Sequence, residues 1–301
     1  MVFSSRIIEL LNTLGVKFLN LADISTLERL LKSEGFSFKK SLGQNFLIDA
    51  SVCPAMAEAA CDKETGVLEI GPGVGVLTQE LGRYAKKVVA IELDERLKKI
   101  LPKTLADFDN IKVIFGDAMK LDLLNIIKDE FSDCKRVCVC ANLPYYITSP
   151  IIMQLLESRL PIDSITVMVQ KEAAERLCAT VGSRQAGAVT VAVSYFAEAE
   201  ILFGVGRDSF MPPPNVDSAV IQLKIRETAP IDLKNEKQFF NFVKACFAQR
   251  RKTLINTVSN SLGVSKDKLR ESLAQLDLPD TVRSEQLTLD QLADLCNLLF
   301  D

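Results

Sequence analysis

The feature that most constrains the fold is a glycine-rich loop that joins an apolar run to a helical run. Gly66-Val-Leu-Glu-Ile-Gly71 is apolar enough to form a buried strand, and Pro72-Gly-Val-Gly-Val-Leu-Thr78 leads into a helix. A strand, a glycine loop and a helix in this order are typical of parallel sheets whose strand ends face a ligand. Because glycine has no side chain, Gly71 and Gly73 allow the backbone to approach a bound molecule closely.

Further apolar runs follow at intervals that leave room for helices, for example at 94–105, and a helix is also predicted before the glycine loop at 49–61. Strands that alternate with helices predict an α/β fold with a doubly wound, mostly parallel sheet. The last two runs are separated only by a loop, so we expect a hairpin-like pair at the sheet edge. The predicted strands are 66–70, 87–92, 111–115, 136–141, 164–169, 200–205 and 217–225.

The flanking segments are predicted to be helical. Residues 1–35 form an extension whose simplest role is packing, residues 36–227 hold the sheet, and residues 228–301 form a small all-α domain. Helices are expected at 236–260, 265–276 and 288–300 in that domain. In the extension, helical spacing relates Ile7, Leu10, Leu11 and Leu14, and again Leu27, Leu30 and Leu31.

Composition excludes several kinds of chemistry. The chain has no histidine, which excludes Ser–His–Asp triads and histidine-ligated metals. Its eight cysteines contain no CxxC pair, so core thiols are expected rather than disulfides or a metal site. No apolar run is long enough to span a bilayer, and Arg6, Glu9 and Lys17 argue against a signal peptide. We expect a cytoplasmic protein without a metal or a membrane partner.

Acidic residues at successive strand ends indicate what the glycine loop binds. Glu69 would repel a pyrophosphate but suits an ammonium group. Glu92 comes about 20 residues after Gly71, where a carboxylate accepts hydrogen bonds from ribose hydroxyls. Asp117 follows the third strand and can accept from an adenine amine. A cofactor with ribose, adenine, positive charge and no phosphate is S-adenosylmethionine, and an NAD-dependent enzyme is the alternative.

The tetrapeptide Asn142-Leu-Pro-Tyr145 follows the fourth predicted strand. Beside a methyl donor it suits an adenine amine, whose lone pair is delocalised into the ring. The Asn142 side-chain oxygen and the Pro144 carbonyl can accept from the two N–H groups and localise that lone pair. Tyr145 can stack on the base. By itself the tetrapeptide is equally consistent with a plain strand-to-helix turn.

A second aromatic residue is available in Ser209-Phe-Met-Pro-Pro-Pro214. Prolines stiffen this loop, so Phe210 can form the other wall of a slot for a flipped base. The alternative is a core aromatic. Phe36–Leu47, with little periodicity, is either a flap that contacts a ligand or a solvated linker.

Basic residues are unevenly distributed, although the net charge is −3. No acidic residue lies between 237 and 266, inside the predicted helical domain. Such a run is either a solvated face or a surface that contacts RNA phosphates, and its place in a separate domain favours RNA. The candidate RNA-binding residues are Lys39, Lys40, Lys244, Arg250, Arg251 and Lys252.

Taken together, these motifs make the chain resemble the bacterial small-subunit ribosomal RNA adenine dimethyltransferases, the kasugamycin-sensitivity family, over residues 36–301. The tetrapeptide alone is shared with other adenine-N6 methyltransferases. The matching segments are Ser41-Leu-Gly-Gln-Asn-Phe-Leu47, Glu69-Ile-Gly-Pro-Gly73, Ile91-Glu92, Gly116-Asp-Ala118, Asn142-Leu-Pro-Tyr145, Gln170-Lys-Glu172, Pro213-Pro-Asn-Val-Asp-Ser-Ala219 and Phe247-Ala-Gln-Arg-Arg-Lys-Thr253.

The resemblance implies a Rossmann-like class I methyltransferase fold with a seven-stranded sheet and a small helical C-terminal domain. It implies that two methyl groups pass to each of two adjacent adenines near the 3′ end of 16S rRNA, in an immature 30S subunit. A monomer is the expected acting form. Matching positions place the methyl donor against Asn45, Leu47, Gly71, Glu92, Asp117 and Asn142, and the target adenine against Asn142, Pro144, Tyr145 and Phe210.

Two other functions remain open at this point. One is an adenine-N6 methyltransferase that acts on 23S rRNA and confers antibiotic resistance. The other is a ribosome-assembly or RNA-binding factor that keeps the fold without catalysis. The Phe247–Thr253 segment and the 216–219 strand favour the small-subunit enzyme. One departure from the family pattern is Ala186-Gly187, where Tyr-Gly is expected, so this chain lacks the tyrosine ring at that position.

Overall fold

The computed structural model describes residues 21, 23–35, 46–145, 147–249 and 251–300. The predicted helix around Ile7–Leu14 and nearly all of the predicted flap lie outside these residues. The described residues form two compact units. One comprises the chain up to Tyr145 together with Val205–Asp217, and the other comprises Tyr146–Gly204 together with Ser218–Asp301.

The strands confirm the predicted α/β class. Seven of them form one sheet in the order β4-β3-β2-β5-β6-β9-β7, and β1 pairs with β8 separately. Thus β9 and β7 are neighbours, as predicted. The strands are β1 (Phe46–Leu47), β2 (Thr65–Ile70), β3 (Lys87–Glu92), β4 (Ile111–Phe115), β5 (Arg136–Asn142), β6 (Ser164–Gln170), β7 (Ala197–Val205), β8 (Phe210–Met211) and β9 (Ser218–Ile225).

Helices connect the strands and make up most of the chain after β9. Short 3₁₀ helices lie at Glu95–Lys99, Arg207–Ser209 and Ser284–Gln286. The α-helices are α1 (Ile24–Ser33), α2 (Val52–Ala60), α3 (Val76–Tyr84), α4 (Leu101–Thr104), α5 (Leu123–Glu130), α6 (Thr148–Glu157), α7 (Lys171–Leu177), α8 (Ala188–Phe196), α9 (Glu236–Cys246), α10 (Leu254–Leu262), α11 (Lys266–Gln275) and α12 (Leu289–Leu299).

The register of the parallel strands in the first unit brings their carboxyl ends to one edge. β2 pairs in parallel with β3 on one side and β5 on the other, and Glu69 is opposite both Ala90 and Cys140. β3 pairs in parallel with β4, with Glu92 opposite Phe115. Every residue of β2 is buried, as expected for a strand covered on both faces. The segments after β2, β3, β4 and β5 therefore begin side by side.

The second unit contains the antiparallel pair β6 and β9, in which Val167 is opposite Ile221. Its C-terminal helices pack around fully buried side chains such as Phe239, Phe242 and Leu269. These helices supply the helical C-terminal region that the sequence predicts. No helix among the described residues has both the length and the apolarity needed to cross a bilayer.

The prediction of one helix over 236–260 is wrong, because α9 ends at Cys246 and α10 begins at Leu254. The buried Ser284 hydroxyl donates to the Cys246 carbonyl at 2.6 Å. A continuing helix would need this carbonyl for the amide four residues later. The Leu254 N–H instead donates to the Val282 carbonyl at 2.9 Å. The basic run 249–252 thus connects two helices.

The prediction of one helix over 94–105 also needs correction. The chain forms the 3₁₀ helix Glu95–Lys99, and α4 starts only at Leu101. Pro102 occupies the first turn of α4, where its missing N–H costs no helical hydrogen bond. The same residue cannot lie inside a continuous helix without losing one, which accounts for the two shorter pieces.

Candidate active site

The glycine loop after β2 has a backbone that only glycine adopts without strain. Gly71, Gly73 and Gly75 have φ angles of +73°, +58° and +98°. A Cβ at Gly71 or Gly73 would meet no atom within 4 Å, whereas one at Gly75 would lie 3.1 Å from Leu105 Cδ2. The first two glycines therefore face open space, and the third packs against the protein. Such a loop leaves room for a ligand at its outer side.

Glu92 ends β3 directly beside this loop. One oxygen of its carboxylate accepts from the Gly73 N–H at 3.1 Å, and the other accepts from the Asp94 N–H at 2.6 Å. Burial raises the pKa of Glu92, and these two hydrogen bonds oppose the increase. The carboxylate is thus fixed in orientation, while each oxygen keeps a lone pair for a second donor such as a hydroxyl group.

Asp117 follows β4 and is more accessible. Its side chain is 32% exposed and lies 3.3 Å from the Lys120 ammonium. Its other oxygen accepts from the Met119 N–H at 3.0 Å. The backbone around it is tied to β3, because the Gly116 N–H donates to the Glu92 carbonyl at 2.8 Å. Asp117 and Glu92 therefore lie at neighbouring strand ends, as the sequence predicts.

Glu69 lies beneath the loop in β2 and is only 1% exposed. Burial raises the pKa of its carboxyl group to about 8, and the Glu92 charge adds to the increase. Neither Glu69 Oε2 nor the Thr78 hydroxyl has a hydrogen-bond partner among the described residues. A buried carboxyl oxygen without a partner is costly, and a cationic ligand group at this point would remove that cost.

The tetrapeptide begins where β5 ends, since Asn142 is the last residue of that strand. Leu143 is 2% exposed and anchors the segment in the core. Asn142, Pro144 and Tyr145 are half-buried. The polar amide, the proline carbonyl and the aromatic ring are therefore placed on a fixed backbone at the same sheet edge as Glu92.

The end of the predicted flap is joined to the predicted second aromatic wall. β1 and β8 pair antiparallel, with Leu47 opposite Phe210. The Ile48 N–H donates to the Ser209 carbonyl at 2.8 Å, and the Ser209 hydroxyl donates to Asp49 at 3.2 Å. Leu47 and Phe210 are both buried, Phe210 being 4% exposed. A base can stack on this ring only after neighbouring side chains move aside.

Two apolar residues at this edge were missed by the sequence reasoning. Leu93 follows Glu92 and is 56% exposed, and Met119 follows Asp117 by two positions and is 40% exposed. An exposed large apolar side chain next to a strand-end acid could have been noticed, because a ligand with a flat ring needs both kinds of contact. The contact between Asp49 and Ser209 could not be predicted from the sequence, since it joins residues that are far apart along the chain.

Three predicted RNA-binding residues lie outside the described residues, namely Lys39, Lys40 and Arg250, and so does Asn45, which is predicted to bind the cofactor. Lys244, Arg251 and Lys252 are exposed, and no carboxylate of the described chain pairs with them. Other basic residues nearby are engaged. Arg270 pairs with Asp267 and Asp280, and the Lys268 ammonium donates to a backbone carbonyl. Ala186, at the expected tyrosine position, is fully buried.

Comparison with known proteins decides the family. Residues 35–300 match the family described as Ribosomal RNA adenine dimethylase. The chain belongs to the ribosomal RNA adenine dimethylase family. Members of this family are methyltransferases that modify adenine in ribosomal RNA, so this family member is an enzyme that acts on rRNA and needs a methyl donor.

Two relatives of this dimethylase are each named Ribosomal RNA small subunit methyltransferase A. The protein of Bacillus pumilus is 46% identical over 276 residues, which cover 90% of this chain and 94% of the relative. The protein of Geobacillus thermodenitrificans is 48% identical over 284 residues, which cover 92% of this chain and 97% of the relative. The predicted family resemblance is thereby confirmed.

Solved structures agree on the fold. A dimethyladenosine transferase from Plasmodium falciparum is 30% identical with a TM-score of 0.69, and the match covers 83% of this chain and 95% of that one. The 23S rRNA methyltransferase ErmE is 26% identical with a TM-score of 0.64, and the match covers 85% and 100%. The Rossmann-like methyltransferase fold predicted for this dimethylase is confirmed.

The buried carboxyl of Glu69 gives a testable pH dependence. Between its usual pKa of 4.5 and its folded pKa of about 8, the unfolded chain releases the proton and the folded chain keeps it. The free energy of unfolding therefore falls as the pH rises through this window. Glu69→Gln removes this slope, so we expect its stability relative to the wild type to rise by at most about 1.4 kcal/mol per pH unit.

Denaturant unfolding of the ligand-free protein from pH 5 to pH 8 measures this difference. Glu95→Gln is the matched control, because the Glu95 carboxylate is 67% exposed. This variant should leave the dependence of stability on pH unchanged. Parallel stability curves for the wild type and Glu69→Gln would show that the carboxyl is ionised without cost in the folded protein.

Proposed function

We propose that this chain transfers methyl groups from S-adenosylmethionine to the N6 amines of two adjacent adenines near the 3′ end of 16S rRNA, within the immature 30S subunit. The observation that supports this proposal most is the position of Asn142-Leu-Pro-Tyr145, at the end of β5 and beside β2. Hydrogen-bond acceptors that suit an adenine amine therefore lie at the edge that also carries the glycine loop and Glu92. A single chain in the cytoplasm is the proposed acting form.

The residues at this edge fit the proposed methyl donor. Glu69, whose buried Oε2 has no hydrogen-bond partner in the part of the chain that the structure describes, suits the ammonium group, and Glu92 suits the ribose hydroxyls. Asp117 can accept from the adenine amine of the donor, and Leu93 and Met119 can cover the faces of that ring. The open side of the glycine loop at Gly71 and Gly73 admits the donor backbone, and Asn45, Leu47 and Asn142 complete its contacts. When bound, the donor supplies an electrophilic methyl group on a sulfonium.

The chain itself prepares the target amine. The Asn142 oxygen and the Pro144 carbonyl accept from its two N–H groups, which localises the nitrogen lone pair and directs it at the methyl group. Tyr145 stacks on the base, a contact worth about 1–3 kcal/mol in nucleic-acid complexes. Phe210 forms the second wall once the base has entered. A chain without histidine can complete this reaction because orientation, not a strong base, activates the amine.

The pairing of β1 with β8 supports a connection between the proposed donor site and the proposed slot for the base. Leu47 belongs to the cover over the donor and is paired with Phe210 in the slot for the base. Asp49 adds the contact to Ser209. The pairing ties the end of the proposed cover to the proposed aromatic wall, so the position of Leu47 constrains the position of Phe210.

The choice of ribosomal subunit rests on the relatives. Those named as small subunit methyltransferases are 46% and 48% identical to this chain, whereas the 23S rRNA methyltransferase ErmE is 26% identical. The greater similarity favours 16S rRNA as the substrate. Lys244, Arg251 and Lys252 are proposed to contact its phosphates, together with Lys39, Lys40 and Arg250.

Primer extension on ribosomal RNA from a strain that lacks this gene tests the substrate. Dimethyladenine stops reverse transcription, so a stop near the 3′ end of 16S rRNA is expected in the wild type and should be absent from the deletion strain. Restoring the gene should restore the stop. A stop lost from 23S rRNA, with 16S rRNA unchanged, would support the alternative substrate and contradict the proposal.

Replacing Asn142 tests the assigned mechanism. Asn142→Ala removes the acceptor and should lower the rate of methyl transfer by about 100-fold, the effect of deleting one preorganised polar group from an active site. Asn142→Asp is the matched variant, because it keeps an acceptor oxygen and should retain much more activity. Single-turnover transfer to unmethylated 30S particles measures both rates. A wild-type rate for Asn142→Ala, or equal losses in the two variants, would contradict acceptance of the amine hydrogen bond.

Replacing exposed basic residues tests the RNA surface. Arg251→Gln and Lys252→Gln should each reduce the slope of log affinity for 30S particles against log salt by about 1, because each removes one phosphate contact. Arg270→Gln is the control, since Arg270 is already paired with Asp267 and Asp280. The affinity for 30S particles is measured at several salt concentrations between low and moderate salt. The proposal would be contradicted if Arg270→Gln changed the slope as much as Arg251→Gln and Lys252→Gln do.

A further inference from the structure

Helix α1 (Ile24–Ser33) packs into the core of the first unit. It precedes every residue that is assigned to the site. Leu31 is 4% exposed and belongs to one cluster of buried side chains with Val74, Leu97 and Ile100. Leu30 packs against the same cluster. The helix begins at Asp23, whose carboxylate accepts from the Thr26 N–H at 2.9 Å, so its start is fixed by a capping residue.

The partners of Leu31 come from the two segments that shape the proposed donor site. Val74 is inside the glycine loop, between Gly73 and Gly75, and is 1% exposed. Leu97 and Ile100 belong to the segment that follows Glu92 and Asp94. Leu31 therefore belongs to a cluster that joins two segments. One is the glycine loop, and the other is the segment that follows Glu92, the carboxylate proposed to bind the ribose.

Contacts around this cluster hold the same two segments together. A Cβ at Gly75 would lie 3.1 Å from Leu105 Cδ2 and 3.3 Å from the Thr104 hydroxyl. The Gln79 side-chain amide donates to the Thr104 carbonyl at 2.7 Å. The Gly73 N–H also donates to Glu92. The shape of the loop and the orientation of that carboxylate therefore depend on the same packed cluster of side chains.

An ion pair joins the end of α1 to helix α4, which follows Leu97 and Ile100. The Lys103 ammonium lies 2.5 Å from Glu34, with side chains 56% and 17% exposed. Pairs that are this exposed contribute little stability, whereas a leucine buried in a close-packed cluster cannot be shortened without leaving a cavity. The apolar contact of Leu31 is thus the stronger of the two links.

We infer that α1 is a brace for the donor site and that Leu31 is a positioning residue, which holds the glycine loop and the segment after Glu92 in the geometry that binds the methyl donor. Leu31 does not touch the donor. Its side chain fills part of the buried cluster that also contains Val74, and so limits the loop to the binding conformation. The inference rests on the proposed function only for the identity of the ligand, since the bracing itself is a property of the ligand-free chain.

Hydrogen exchange of the full-length, ligand-free protein tests the brace without any cofactor. Leu31→Ala should speed amide exchange in residues 71–76 and 93–105 and leave the second unit unchanged. Leu269→Ala, which shortens a fully buried leucine in α11, is the matched control and should not change exchange in the loop. Unchanged exchange at 71–76 in folded Leu31→Ala would overturn the inference. If that variant does not fold, Leu31→Val takes its place.

Binding and kinetics then test the consequence for the site. If the loop adopts the binding conformation in about one tenth of Leu31→Ala molecules, the Kd and the KM for S-adenosylmethionine rise about tenfold, while kcat at saturating donor changes little. Leu31→Met, similar in volume, should restore both values. A fall in kcat with unchanged KM would overturn the inference. Faster loop exchange without any binding of S-adenosylmethionine by the wild type would instead contradict the proposed function and leave the brace intact.

Discussion

The parallel pairing of β2 with β3 and β5 is the interaction on which the rest of the site depends. Glu69 is opposite residues of both neighbouring strands, so the three strands end at the same level. Each strand end contributes a different group: a glycine loop, the Glu92 carboxylate and the Asn142 amide. A slip of one residue in either pairing would turn these side chains to the other face of the sheet.

The chemistry at this edge follows from what the chain lacks and what it buries. Without histidine, an imidazole base is excluded, and the proposed activation of the target amine relies on hydrogen-bond acceptance and stacking. Burial raises the pKa of the Glu69 carboxyl group to about 8, which lowers the stability of the folded protein as the pH rises. The fold keeps this carboxyl group at the point where a cation is proposed to bind. The family to which the chain belongs modifies adenine in rRNA, which is consistent with both features.

The strand ends and their functional groups could be predicted from sequence because they depend on local pattern: apolar runs of strand length, glycines at a turn and acids one strand apart. The break after Cys246 could not, because it depends on a hydroxyl from Ser284, distant in sequence. The same holds for the contact of Ser209 with Asp49. The helical spacing of Leu31 predicted its helix, but only the fold shows that this residue packs near Val74.

We propose that the residues at this sheet edge methylate adenine in small-subunit rRNA. The most direct test is transfer of labelled methyl groups from S-adenosylmethionine by the purified full-length chain to 30S particles that lack the modification, with 50S particles in parallel and the labelled nucleotide mapped by mass spectrometry. We expect N6,N6-dimethyladenine at two adjacent positions near the 3′ end of 16S rRNA and no label in 50S particles. Label in 23S rRNA, or none in either particle, would contradict this proposal.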